Sequence, residues 1–177
     1  MHLREQCRFF VLALQDMDRG YLERTQGDPL GEERIWYGVQ NAVLAVANIS
    51  KILWGPQAKD GTWPKEKERT PLRVFLGVSE PSDLKSKDMR NHLEHFDERI
   101  DKWFQWAQTQ PGPPHRTDRT VASLPPSWAG KSRFRWIDAN SLQVSFWDDT
   151  YELETIGNEV ARISDILEDE LSSPWFS

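Results

Sequence analysis

Residues 88–107 read Asp-Met-Arg-Asn-His-Leu-Glu-His-Phe-Asp-Glu-Arg-Ile-Asp-Lys-Trp-Phe-Gln-Trp-Ala. Met89, Leu93, Phe96, Ile100, Phe104 and Ala107 recur at three- and four-residue spacing. That period predicts an amphipathic helix with one buried stripe. At roughly 100° per residue, Arg90, Asn91, Glu94, His95 and Glu98 fall in a sector nearly opposite the stripe. Asn91 and His95 are four apart, so on a helix their side chains meet. Arg90 lies about 7.5 Å along the axis from His95, at 1.5 Å per residue, a separation that lets both reach one phosphate group. A face that only meets water is served by Lys and Glu, so an Arg, an Asn and a His here need a reason.

Working outward, the chain before this stretch reads as helices. Residues 2–25 carry an apolar set of Phe9, Phe10, Leu12, Ala13, Met17 and Leu22. Gly27-Asp28-Pro29 is a turn signal. A second helix is predicted over 31–54, with Ile35, Val39, Ala42, Val43, Val46, Ile49 and Leu53 on one face and Gly55-Pro56 as its stop. Residues 57–70 read as a polar loop. Thr70-Pro71 opens a short helix ending near Val78, with Pro in the first turn.

After the central helix, residues 110–131 are rich in Pro, Gly, Ser and Thr and read as a surface loop. Phe134 and Trp136, then Leu142, Val144 and Phe146, alternate with polar residues across a turn at 138–140, which predicts a β-hairpin. A lone hairpin is marginally stable, so its apolar side must lie on helices. Leu153, Ile156, Val160, Ile163 and Leu167 predict a last helix over 151–171. The expected fold is mainly all-α: an up-and-down helical bundle with a small C-terminal β-hairpin and a final helix. It is expected to be one domain over 1–177, with the bundle at 2–109, the loop at 110–131 and the hairpin and helix at 132–171.

Composition narrows the function classes. No run approaches the roughly 18 apolar residues of a membrane span, and the short apolar run Phe9–Leu14 has no cleavage-site pattern after it. The single cysteine, Cys7, precludes an internal disulfide and fits a reducing cytoplasm, the expected location. Phe10, Val11 and Leu14 beside it suggest a packed thiol rather than a nucleophile. A net charge of −6 argues against a protein that coats nucleic acid through a broad basic surface. The acidic excess is terminal, however. From Asp138 onward there are ten acids and one base, Arg162, which leaves a net +3 on the residues before. A local cationic site near the central helix therefore stays open, with Arg73 and Lys87 as candidates for phosphate contacts. The nine tryptophans read as packing; Trp63 and Trp128 are the least committed of them to the core.

The run Arg90-Asn91-His92-Leu93-Glu94-His95 resembles the signature of the HEPN superfamily, small helical-bundle proteins that include endoribonucleases and toxins of defence systems. The family motif is Arg, four to six residues, then His, with Asn common after the Arg. Arg90, Asn91 and His95 match it with a four-residue spacer. The resemblance covers about 31–107 and does not extend to the hairpin or last helix. It implies a homodimer that brings two motifs together through the polar face of the 88–107 helix. It also implies RNA as substrate, no cofactor, 2′,3′-cyclic phosphate and 5′-hydroxyl products, and, for a toxin, a cognate antitoxin protein.

The side chains suit that chemistry. Metal-free RNA cleavage needs a base for the 2′-hydroxyl proton, a cation for the charged phosphorane and an acid for the leaving oxygen. An imidazole titrates near neutrality, and Arg is a permanent fork that matches phosphate. Asn91 can orient the imidazole or hold a phosphate oxygen without adding negative charge. Three rivals stand beside this reading. Arg90 with Glu94, and His95 with Glu98, can form an ordinary solvated face, and those two carboxylates repel RNA. His92 and His95 suggest a metal pair, but the Glu-x-x-His spacing of di-iron bundles is missing. Finally, the same fold can serve as a non-catalytic dimeric module that binds RNA or protein.

Overall fold

A computed structural model describes residues 2–56, 58, 62–85, 95–109, 119–122, 134–138, 141–147 and 149–171. Among them are five α-helices: α1 (His2–Thr25), α2 (Gly31–Trp54), α3 (Glu66–Phe75), α4 (Phe96–Gln108) and α5 (Leu153–Leu171). Four strands accompany them: β1 (Arg119–Ala122), β2 (Arg135–Asp138), β3 (Gln143–Phe146) and β4 (Asp149–Glu152). The protein is thus mostly helical with one small sheet. No helix of the described residues is long and apolar enough to cross a membrane.

The chain divides into two compact units, Met1–Lys87 with Thr155–Ser177, and Asp88–Glu154. The sequence reading placed the central helix with the bundle and the last helix with the hairpin. The structure groups α4 with the sheet and nearly all of α5 with α1–α3.

In the helical unit, α1 and α2 run antiparallel. Asn48 donates to Gln6 at one end (3.0 Å), and Gly20 abuts the backbone of Gly31 and Ile35 at the other. The core is built from Cys7, Phe10 and Met17 of α1, Ile35 to Trp54 of α2, and Ile156, Val160 and Ile163 of α5. Half of the apolar set expected to be buried on α1 is not: Phe9, Leu12 and Leu22 are exposed, whereas Leu3, Gln6 and Gly20 are buried. The two backbones cross closely at Gly20 and Gly38, while Phe10 and Met17 supply the bulk of the buried side of α1. The short helix α3 begins at Glu66, four residues before the expected Thr70, so Pro71 lies inside it. At its start Arg73 donates to the Glu66 carbonyl (3.0 Å).

Three ties fix α5 to this unit. Arg162 donates to the Leu76 carbonyl (2.6 Å). Glu159 accepts from the Ser82 hydroxyl (2.9 Å), which also caps the 3₁₀ turn at Asp83–Lys85 through the Leu84 amide. The third, the Arg4–Glu168 pair, is part-buried and bidentate.

In the other unit, the expected hairpin exists as β2 and β3, antiparallel with Arg135 opposite Phe146. It is extended on both sides. β4 pairs antiparallel with β3, and β1, from the stretch read as loop, pairs parallel with β2, giving the order β1-β2-β3-β4. Four residues of Arg-Thr-Val-Ala are too short to show a strand period, so β1 is defined by its neighbour rather than by its own pattern. β4 takes Asp149–Glu152, so the last helix begins at Leu153 rather than at residue 151. Positive φ at Trp147 (53°) turns the chain between β3 and β4.

Candidate functional site

Of the residues singled out from sequence, Arg90, Asn91 and Lys87 lie outside the described residues. His95 and Arg73 are described, and their settings differ.

His95 is at the start of α4, not in the middle of a helix. Its backbone, at φ −119° and ψ 35°, is non-helical, and it occupies the position before Phe96. The expected helix therefore does not run unbroken through residue 95. The His95 carbonyl accepts from Arg99 N–H (3.0 Å), so the residue is still bound into the first turn. Its side chain is 55% exposed, with Nδ1 3.8 Å from Glu98 Oε1, beyond hydrogen-bond distance.

What seats this end of α4 is aromatic. Phe96 meets Phe134 edge-on with centroids 5.4 Å apart, and the Arg135 guanidinium lies 4.8 Å from the Phe96 ring centre. Two turns and nearly three turns on, Trp103 packs on Phe134 (5.9 Å) and Trp106 on Trp147 (6.4 Å). Arg99 reaches Asp149 of β4 at 3.6 Å. The buried side of α4 thus centres on Trp103 and Ala107, and Phe104, expected in the stripe, is 44% exposed. Bulky aromatics at 96, 103 and 106 outweigh the simple three-four count because the sheet opposite presents ring surfaces.

The sequence puts Phe96 in the buried stripe but does not single out Arg99 or Arg135, which join it in holding this end of α4. The signal was available in part: Phe96 adjoins the histidine, and Arg135 sits in an alternating strand. Their pairing depended on which strand faces α4.

Arg73, a candidate for a phosphate contact, is buried and committed to the fold. Its guanidinium donates to the carbonyls of Leu53 (2.7 Å) and Glu66 (3.0 Å) and to Thr70 Oγ1 (3.2 Å). It lies 5.5 Å from the Trp54 ring centre and 3.5 Å from Glu80, which in turn accepts from Trp54 Nε1 (2.8 Å). At 7% exposure it offers no open face to a ligand. Lys85 closes the same cluster through Glu66 (2.5 Å).

Among the described residues no group of three His, Cys, Asp or Glu side chains is placed to hold a metal ion. Cys7 is fully buried, and burial pushes its thiol up to about 11, so it is protonated at neutral pH. Comparison with family models, with curated proteins and with solved structures returns no match.

Proposed function

We propose that the chain is a metal-independent endoribonuclease of HEPN type, a toxin or defence effector. In this reading His95 and Arg90 are catalytic and Asn91 supports them. Two motifs, one from each protomer of a homodimer, supply the acid and the base. The reading rests on the Arg90–His95 motif in the sequence. One structural observation supports it: the imidazole of His95 is exposed at the N-terminal end of α4, on a backbone anchored by Phe96 and Arg99. That end of a helix carries partial positive charge and amide groups suited to a phosphate. A fixed backbone with an accessible imidazole is what in-line proton transfer needs.

A second reading has its own support. Asp97 and Glu98 occupy the first turn of α4, and Glu98 approaches the His95 ring. Carboxylates there repel an RNA backbone and favour a non-catalytic dimeric module that binds RNA or protein.

The test is cleavage of total RNA by the purified chain in EDTA, beside His95→Ala and Arg90→Ala prepared identically. The nuclease reading expects cyclic-phosphate ends from the parent and a loss of about 10²–10⁴-fold in His95→Ala, the usual worth of a general acid or base. Cleavage that survives His95→Ala unchanged, or that EDTA abolishes, overturns it. No cleavage together with a change of dimer mass in either variant supports the module.

A further inference from the structure

The outer side of the α1–α2 pair carries an apolar groove of about 430 Å³. Phe9 and Leu12 of α1 and Tyr37 and Leu44 of α2 line it, each between 47% and 60% exposed. These residues are not scattered. On α1 the outward positions Glu5, Phe9, Leu12, Asp16 and Arg19 step by four, three, four and three. On α2 the positions Tyr37, Asn41, Leu44 and Asn48 step by four, three and four. That is the spacing of a helix seam that packs against another helix, and both helices of the pair present one on the same side.

The charges at the margins say what the other helix pair is. Asn48 donates to Gln6, and Gly38 sits against Ala13 and Met17, so Leu12 lies level with the turn of α2 that holds Asn41 and Leu44. A twofold axis crossing both helices at that level places Leu12 opposite the Leu12 of a second copy, and Asn41 opposite its Leu44. The same axis brings Glu5 to the copy's Arg19, Arg8 to its Asp16, and Glu33 to its Lys51. Each of these three pairings is of opposite sign, and each occurs twice. Turning the copy about an axis parallel to the helices does not bring Arg8 to Asp16. Arg8, Arg19 and Asp16 already touch Glu168, Glu23 and Arg34 within the chain. These side chains, 34% to 68% exposed, are thus shared at the rim rather than buried alone.

The area is sufficient. Helices of 24 residues are about 36 Å long at 1.5 Å per residue. Two of them side by side offer roughly 700 Å² per protomer, against the ~800 Å² of a standard interface. A self-complementary patch of this kind is the signature of an isologous dimer.

We propose that two copies of this chain pair through the α1–α2 face as an antiparallel four-helix layer, with Leu12 on the dyad. The residues of this surface do not include His95, and the proposal does not rest on the chain cleaving RNA.

Two measurements on the full chain test it. The first is dimer affinity by sedimentation equilibrium. Glu33→Lys and Lys51→Glu each weaken it by roughly tenfold, since each rim contact is made twice, and the double swap restores it. The second is oxidative cross-linking. Leu12→Cys forms a disulfide-linked dimer, while Leu22→Cys, equally exposed but off the dyad, does not; buried Cys7 stays silent. A parent that is monomeric at 100-fold the concentration used for storage overturns the proposal. So does a double swap no better than either single one, or a Leu12→Cys chain that fails to cross-link.

Discussion

Arg73 shows what a single residue contributes here. From sequence it was one cation among several near a possible phosphate site. In the structure two backbone carbonyls, one hydroxyl and one indole face claim its guanidinium. Removing it strands buried acceptors, each costing about 1–3 kcal/mol. Arg73→Ala is therefore expected to lower unfolding stability by about 3 kcal/mol, read from the urea midpoint. Arg73→Lys is expected to recover little, because an ammonium cannot stack on Trp54 and reach both carbonyls. Parent-like stability in the Ala variant would sink this account. Glu159 gives a second prediction. Burial raises its carboxyl above the ordinary 4.5, with Asp83 and Glu80 adding to it, against the Ser82 hydrogen bond and Arg162. A carboxyl whose folded value is raised stabilises the fold below its unfolded value and loses that contribution as pH rises through the folded one. Glu159→Gln keeps an acceptor for Ser82 without the charge. Its melting temperature should exceed the parent's at pH 7, and the gap should close as pH falls through the carboxylate range. A gap that does not change with pH would contradict this.

At the scale of elements, the closest contact is the α1–α2 crossing. A Cβ on Gly38 would lie 2.5 Å from Met17 Cγ and 2.6 Å from the Ala13 carbonyl, and one on Gly20 2.7 Å from the Gly31 carbonyl. These glycines let the backbones approach. Gly157 on α5 is different: a Cβ there meets the Phe10 ring at 3.5 Å and Leu14 Cδ1 at 3.8 Å, both ordinary contacts. Gly38→Ala is expected to cost about 1–3 kcal/mol through overpacking. Gly157→Ala is expected to add up to about 1 kcal/mol through helix propensity. Chemical denaturation of the two variants in parallel checks both signs, and equal effects would mean the crossing is not the constraint. The helices α1 and α2 were legible because 24-residue periodic runs bounded by turn residues leave few alternatives. α3 was misplaced because Pro71 suggested a start, while the actual start depends on Arg73 reaching back to Glu66.

For the whole molecule, the last helix determines the integrity of the helical unit. Ile156, Val160 and Ile163 are buried there, and Arg162 and Glu159 tie it to the ends of α3 and the 3₁₀ turn. Burying three such side chains is worth about 1.5–3 kcal/mol each, comparable with the roughly 5–15 kcal/mol that holds a domain together. A chain ending at Glu154 is therefore expected to lose cooperative thermal unfolding of the helical signal in circular dichroism. An unchanged transition would mean α5 is an accessory.

The sequence by itself determined the local elements whose own period names them: α1, α2, the run of α5 and the β2–β3 hairpin. It also supplied the Arg90–His95 motif, because spacing and residue type are local facts. Only tertiary structure decided the rest. It placed His95 at a helix start, since the aromatic contacts of Phe96, Trp103 and Trp106 with Phe134 and Trp147 define where α4 sits on the sheet. It made a strand of Arg119–Ala122, which gains its hydrogen bonds from β2 and not from its own composition. It took Arg73 out of reach of any ligand and left Phe9 and Leu12 facing outward. In each case the deciding partner is distant in the chain, and a one-dimensional pattern carries no record of it.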